Sequence, residues 1–140
     1  MMNISVRGDD GKLQGLIRRF ESAESALREA AARAALPVIR ALVKRCFDTG
    51  TAPDGSAWAP LKVDPDRLPL QGLFDALVFQ VTGGQVEVSS GKTYAFFHET
   101  GTSRGLPARP FLPPGSTALP DAWRVPLASA VRQGVKQVFR

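Results

Sequence analysis

From Lys12 onward, apolar residues return every three or four positions: Leu13, Leu16, Ile17, Phe20, Leu27, Ala31, Ala34, Val38 and Leu42. That period marks one face of an amphipathic helix, with Arg18, Glu21, Arg28 and Glu29 on the other. Asp10, closing the turn Gly8-Asp9-Asp10-Gly11, is a fair N-cap, and Gly50 is a natural stop. Residues 11–48 as one straight helix would run roughly 55 Å. A compact domain of 140 residues spans only roughly 35–40 Å. The helix must therefore bend, or one end must leave the body as an arm. Pro37 is the expected place to bend. An interior proline removes a backbone hydrogen bond and costs about 3 kcal/mol, so a kink or break is predicted near Leu36.

The remaining elements are shorter. Residues 3–7 alternate, with Ile4 and Val6 on one side, and read as a first strand. Residues 48–61 read as a loop in which Pro53-Asp54-Gly55 suits a type I turn. Trp58 is expected to fold back as a hydrophobic plug; exposed, it would mark a partner surface. Residues 62–69 should be irregular, and residues 71–77 suit a short helix with Leu73, Phe74 and Leu77 inward. The clearest β signal is residues 78–81 and 85–89 around Thr82-Gly83-Gly84, a tight hairpin. Val86 and Val88 alternate with Gln85, Glu87 and Ser89, so one sheet face is wet or covered by a partner. Residues 108–112 are predicted to return as another strand. Pro126, tolerated in a first helical turn, puts a last helix near Val125, with a stripe at Leu127, Val131, Val135 and Val138. The sum is an α+β fold in one domain, residues 1–140. A small, mostly antiparallel sheet packs against a long kinked N-terminal helix and a C-terminal helix.

Residues 94–114, YAFFHETGTSRGLPARPFLPP, gather the chain's chemistry. Tyr94, Phe96, Phe97, Phe111 and Leu112 would each contribute roughly 1.5–3 kcal/mol if buried. Gly101 and Gly105 bracket a polar tip, Thr102-Ser103-Arg104, and Pro107 and Pro110 stiffen the return. His98-Glu99 is not a zinc-protease helix motif, because Thr102 stands where its second histidine belongs. With one histidine and one cysteine, a closed protein-only zinc site is not expected, and no cofactor is implied. Cys46 reads as a buried helix residue, not a nucleophile served by His98. His98 is expected to hydrogen-bond to backbone near Gly101. Arg109, on a stiff backbone, suits a carboxylate. That carboxylate is either Glu99 within the chain or one on a neighbouring subunit. An enzyme is not expected.

The run Tyr94-Ala95…His98…Gly101 followed by Pro107-Ala108-Arg109-Pro110-Phe111-Leu112 resembles the Mu-like phage virion morphogenesis, or tail completion, family. Pro53-Asp54-Gly55…Trp58…Pro60-Leu61 and then Gly72-Leu73 ahead of two strands extend the likeness over roughly residues 48–112, with a helix on either side. A Thr-Gly-x-Leu pattern is commoner in that family where this chain has Gln71-Gly72-Leu73. The resemblance implies a structural assembly protein that readies a tail for joining to a head. It would work by protein–protein binding, as a ring or cap of copies against tail and head–tail connector proteins, in the host bacterial cytoplasm and then in the virion. Tyr94, His98, Arg104, Arg109, Phe111 and Trp58 are the residues expected to meet partners.

Charge is uneven along the chain. Residues 1–45 carry nine Lys/Arg against five Asp/Glu, residues 46–123 five against eight, and residues 124–140 four against none. Such runs are either solvated helix faces or complementary patches that join copies head to tail. The basic ends also raise a nucleic-acid-binding module as the alternative. Against it, the bases of the first helix are mixed with acids, and the aromatics keep apolar company. Non-specific DNA contact is the most they imply. The apolar content of 44% and charged content of 22% are those of an ordinary globular domain. No apolar run reaches about 18 residues, and the first residues lack a signal-peptide core, so a soluble cytoplasmic product is expected.

Overall fold

The computed structural model describes residues 11–92, 94–114 and 118–139. The predicted strand at residues 3–7 and the Asp10 cap lie outside them. α1 (Gly11–Thr49) is one unbroken helix of 39 residues, about 58 Å long. Of the kink or break expected near Leu36, the break does not occur. Pro37 and Arg33, whose carbonyl loses its amide partner, both lie on the exposed face, where water can serve that carbonyl. The helix ends as predicted: Gly50 takes a φ of +66°, and the Thr51 amide donates to the Cys46 carbonyl at 3.1 Å. This is a Schellman stop.

Residues 71–77 form less helix than the sequence suggests. Leu70 adopts a φ of +61° and Gly72 one of +87°, which leaves room only for a 3₁₀ turn, Phe74–Ala76. β1 (Leu77–Thr82) and β2 (Gln85–Ser90) then pair antiparallel, from Leu77 opposite Ser90 to Thr82 opposite Gln85. Gly83 and Gly84 turn the hairpin with φ of +59° and +76°, the two positive values that a two-residue turn of the I′ type demands. Phe79, Val81, Val86 and Val88 are half-buried on the face toward α1, while Val78, Gln80, Glu87 and Ser89 look outward. α2 (Tyr94–Thr100) follows, and α3 (Asp121–Val138) closes the chain.

α3 begins four residues before the predicted start. Asp121 opens it, the Trp123 and Arg124 amides both bond to the Pro120 carbonyl, and Trp123 is buried as its first-turn anchor. Pro126 is accommodated inside the helix, its missing bond falling on the exposed Ala122. The helix runs antiparallel to α1. Trp123 sits in the core at the C-terminal end of α1, and Gly134 lies against Ala30 and Ala34. A Cβ on Gly134 would come within 2.6 Å of the Ala34 Cβ, so only glycine permits this approach.

The core sits at the C-terminal end of α1. Leu42, Val43, Cys46 and Phe47 meet Trp58, Leu73, Leu77, Ala95, Phe111 and Trp123. Phe47 is its hub, edge-on to Trp58 at 5.5 Å and tilted against Phe111 at 5.2 Å and Phe74 at 5.8 Å. The hairpin turn reaches α1 at Arg28 and α3 reaches it at Ala30. Further toward the N-terminus, Arg18, Arg19 and residues 21–26 are all exposed. The length conflict is met by projection: over residues 18–26, wherever exposure is described, α1 stands clear of the body.

Candidate partner-binding site

Two loops that lie about fifty residues apart in sequence clasp each other at the foot of α1. The Trp58 indole Nε1 donates to the Pro110 carbonyl at 2.8 Å. In return, Arg109 donates from Nε to the Ala59 carbonyl at 2.8 Å and from Nη2 to the Pro60 carbonyl at 3.2 Å. Each loop therefore supplies the acceptor for a buried donor of the other, as a buried N–H requires. The prolines make this possible. Pro60 and Pro110 have no N–H to satisfy, and their fixed φ holds the neighbouring carbonyls in place.

The strand predicted over residues 108–112 is absent, because its backbone donors are taken by other groups. The Arg109 amide bonds to the His98 carbonyl at 2.6 Å. The Phe111 and Leu112 amides bond to the two Glu99 carboxylate oxygens at 2.8 and 3.2 Å. Glu99 thus acts as a substitute strand edge, projecting from the inward side of α2. Burial raises its pKa above the usual carboxylate range, and the two amide bonds offset that only in part. Glycine is obligatory at the exit from α2. Gly101 has a φ of +74°, and a Cβ there would meet the Ala108 nitrogen at 3.0 Å. The tip beyond it closes on itself, with the Thr102 amide bonded to the Leu106 carbonyl.

Ala95 and Glu99, four apart, face inward on α2 with His98 half-buried beside them, which turns Tyr94, Phe96, Phe97 and Thr100 outward. Phe96 is 67% exposed, Phe97 48% and Tyr94 44%. The Phe96 and Phe97 rings stand 6.0 Å apart, and the Lys92 ammonium lies 6.0 Å from the Tyr94 ring. Large apolar side chains this exposed, side by side on an anchored helix, are the composition of a binding patch.

No protein-family model, no curated protein and no solved structure matches the chain.

The structure separates the six expected partner residues into two groups. Tyr94 and Arg104 are exposed and His98 is half-buried. Arg109 and Phe111 are both 4% exposed, so they are corrected from surface contacts to internal ones, and Trp58, 6% exposed, is the hydrophobic plug expected and not a partner surface. Arg109 pairs with carbonyls and not with Glu99, because Glu99 is already held by two amides. His98 also differs from expectation: its Nδ1 is buried without a hydrogen-bond partner, and its ring meets the Tyr94 ring edge-on at 5.7 Å. Burial and the nearby Arg109 charge lower its pKa. Burial, with the Glu99 charge adding to it, pushes the Cys46 thiol up to about 11. That is the opposite of an activated thiolate. Among the described residues no group of three or more His, Cys, Asp or Glu is placed to hold a metal ion. No helix there is long and apolar enough to cross a membrane.

Proposed function

We propose that this chain is a structural component of phage tail assembly that completes a tail for joining to a head by binding protein partners, its copies meeting as a ring or cap. The observation that carries the reading is the outward row Tyr94, Phe96 and Phe97, mounted on a helix that Glu99 ties to the core. A docking face gains affinity when its scaffold is already ordered, because little freedom is lost on binding. Among the residues that carry the tail-completion resemblance, Trp58, Pro60, Arg109, Pro110 and Phe111 take part in this scaffold. On this reading the protein acts in the host cytoplasm during assembly and then in the tail or neck of the particle.

Catalysis has less support, since Cys46 is held as a neutral thiol and Glu99 is engaged by backbone. Nucleic-acid recognition also has less, since Arg28, Arg33, Lys44 and Arg124 each pair with an acid one turn away on the same helix. The test is genetic. Deleting the gene from its parent genome and inducing particle production should leave heads and tails unjoined. Supplying the wild-type protein should restore joined particles, and supplying F96S/F97S should not. Normal numbers of joined particles from the deletion would overturn the proposal.

A further inference from the structure

Beside the aromatic row lies a groove of about 550 Å³ between the end of α2 and the turn at residues 52–54. Ala52, Pro53, Pro110 and Leu112 form apolar walls, Thr100 stands on the rim, and Asp54 and Glu99 supply acid. Its lining holds no Lys or Arg among the described residues. The Asp54 carboxylate accepts from the Ser56 amide and hydroxyl, which hold its pKa below the usual range and keep it charged. The site is therefore shaped for an apolar knob flanked by cations.

This chain carries such a knob at the far end of α3. Arg132 and Lys136, four apart, share one face of that helix, and Phe139 follows three residues on as its C-cap. All three are exposed, Phe139 by 74%. Neither cation has an acidic partner among the described residues, whereas Arg124 near the start of the helix is paired with Asp121. The chain cannot fill its own groove. Pro120, on the groove wall, caps α3, and the 18 residues of the helix carry Phe139 about 27 Å away along α1.

We propose that the groove at residues 52–54 and 99–112 receives the Arg132–Lys136–Phe139 end of α3 from a second copy of this chain. Two different patches then meet at each contact, so the interface is heterologous, and a pair of copies keeps one free groove and one free knob, at which further copies add until a ring closes. The basic α3 meets the acidic middle of its neighbour, which gives the uneven charge along the chain a role. This deepens the reading of the chain as an assembly component, and it uses a surface separate from the aromatic row.

The test uses two variants of exposed residues and light scattering. T100R blocks the groove with bulk and a like charge; K136E/F139S removes the knob. Wild type should gain mass with concentration and return to one chain in high salt. Each variant alone, with wild-type circular dichroism, should stay at one chain. Mixed together, they should form a species of two chains, because one retains the knob and the other the groove. A mixture that stays at one chain would overturn the proposal, as would either variant associating like wild type, or a wild type that never exceeds one chain. F96S/F97S should still self-associate, so failure of this contact and failure of the tail-binding reading give different results.

Discussion

The clasp at the foot of α1 and the seam between α1 and α3 hold the same long helix in different ways. The clasp is directional. Indole, guanidinium and carboxylate each reach a backbone group about ten to fifty residues away, around the aromatic hub of Phe47. The seam depends on shape: Ala30 and Ala34 meet Gly134, and no side-chain hydrogen bond or ion pair crosses it among the described residues. A directional contact fails when a group is removed, and a close-packed one fails when a group is added.

Removing the Phe111 ring should have the largest effect. F111A takes a buried aromatic from the hub and should lower unfolding stability by about 3–5 kcal/mol in denaturant titration. A loss below about 1 kcal/mol would mean that the core closes without it. R109A comes next, at about 1–3 kcal/mol, because a buried side chain and its two charge-assisted bonds to the Ala59 and Pro60 carbonyls are lost, while water can reach the exposed Pro60. R109K keeps the charge but not the fork, and should recover only part of that loss.

The seam should respond in the opposite sense. G134A would gain about 1 kcal/mol from helix propensity alone, but its methyl meets Ala34 at 2.6 Å. Overpacking of that kind costs about 1–3 kcal/mol, so the net change should be destabilising. In an A34G background the same substitution should become close to neutral. If G134A stabilises the native protein, the helices are not in contact there.

The smallest effect concerns pH. The His98 pKa is lowered in the folded state, so the unfolded chain binds its proton more readily. The stability this gives is fully present above the ordinary value of 6.5 and is lost as pH falls through the folded value. The difference in Tm between wild type and H98Q should therefore be constant above that pH and shift against the wild type below it. Glu99 acts with the opposite sign. Its raised pKa gives stability that is present below 4.5 and lost as pH rises through the folded value.

The course of α1 and the hairpin were legible in the sequence, whereas the contact of Gly134 with Ala30 and Ala34 was not. The period of α1, Gly50 as its stop, and Gly83-Gly84 between alternating runs depend on neighbours within a few residues, where local rules operate. The clasp was legible only as composition. Tyr94, Phe96 and Phe97 favour strands by propensity, yet Ala95 and Glu99, four apart, turn inward together and make this stretch a helix. Prolines 107 and 110 read as a stiff strand, but Glu99 and the His98 carbonyl had already taken its amides. Arg109 was singled out for its rigid setting, and its partners are carbonyls fifty residues back in the chain. No short-range pattern records them. Trp123 was missed for a related reason: Pro126 drew the predicted start of α3 past it.

Hydrogen exchange at the amides of Arg109, Phe111 and Leu112 tests the clasp most directly. All three lie outside any helix or strand, and their acceptors are the His98 carbonyl and the Glu99 carboxylate. The clasp predicts that they exchange as slowly as the amides at the core end of α1, through global unfolding, and that E99A speeds exchange at Phe111 and Leu112 before it affects α1. Exchange at the fast rates of the exposed residues 62–68 would contradict it, and would remove the ordered scaffold on which the aromatic row of α2 depends.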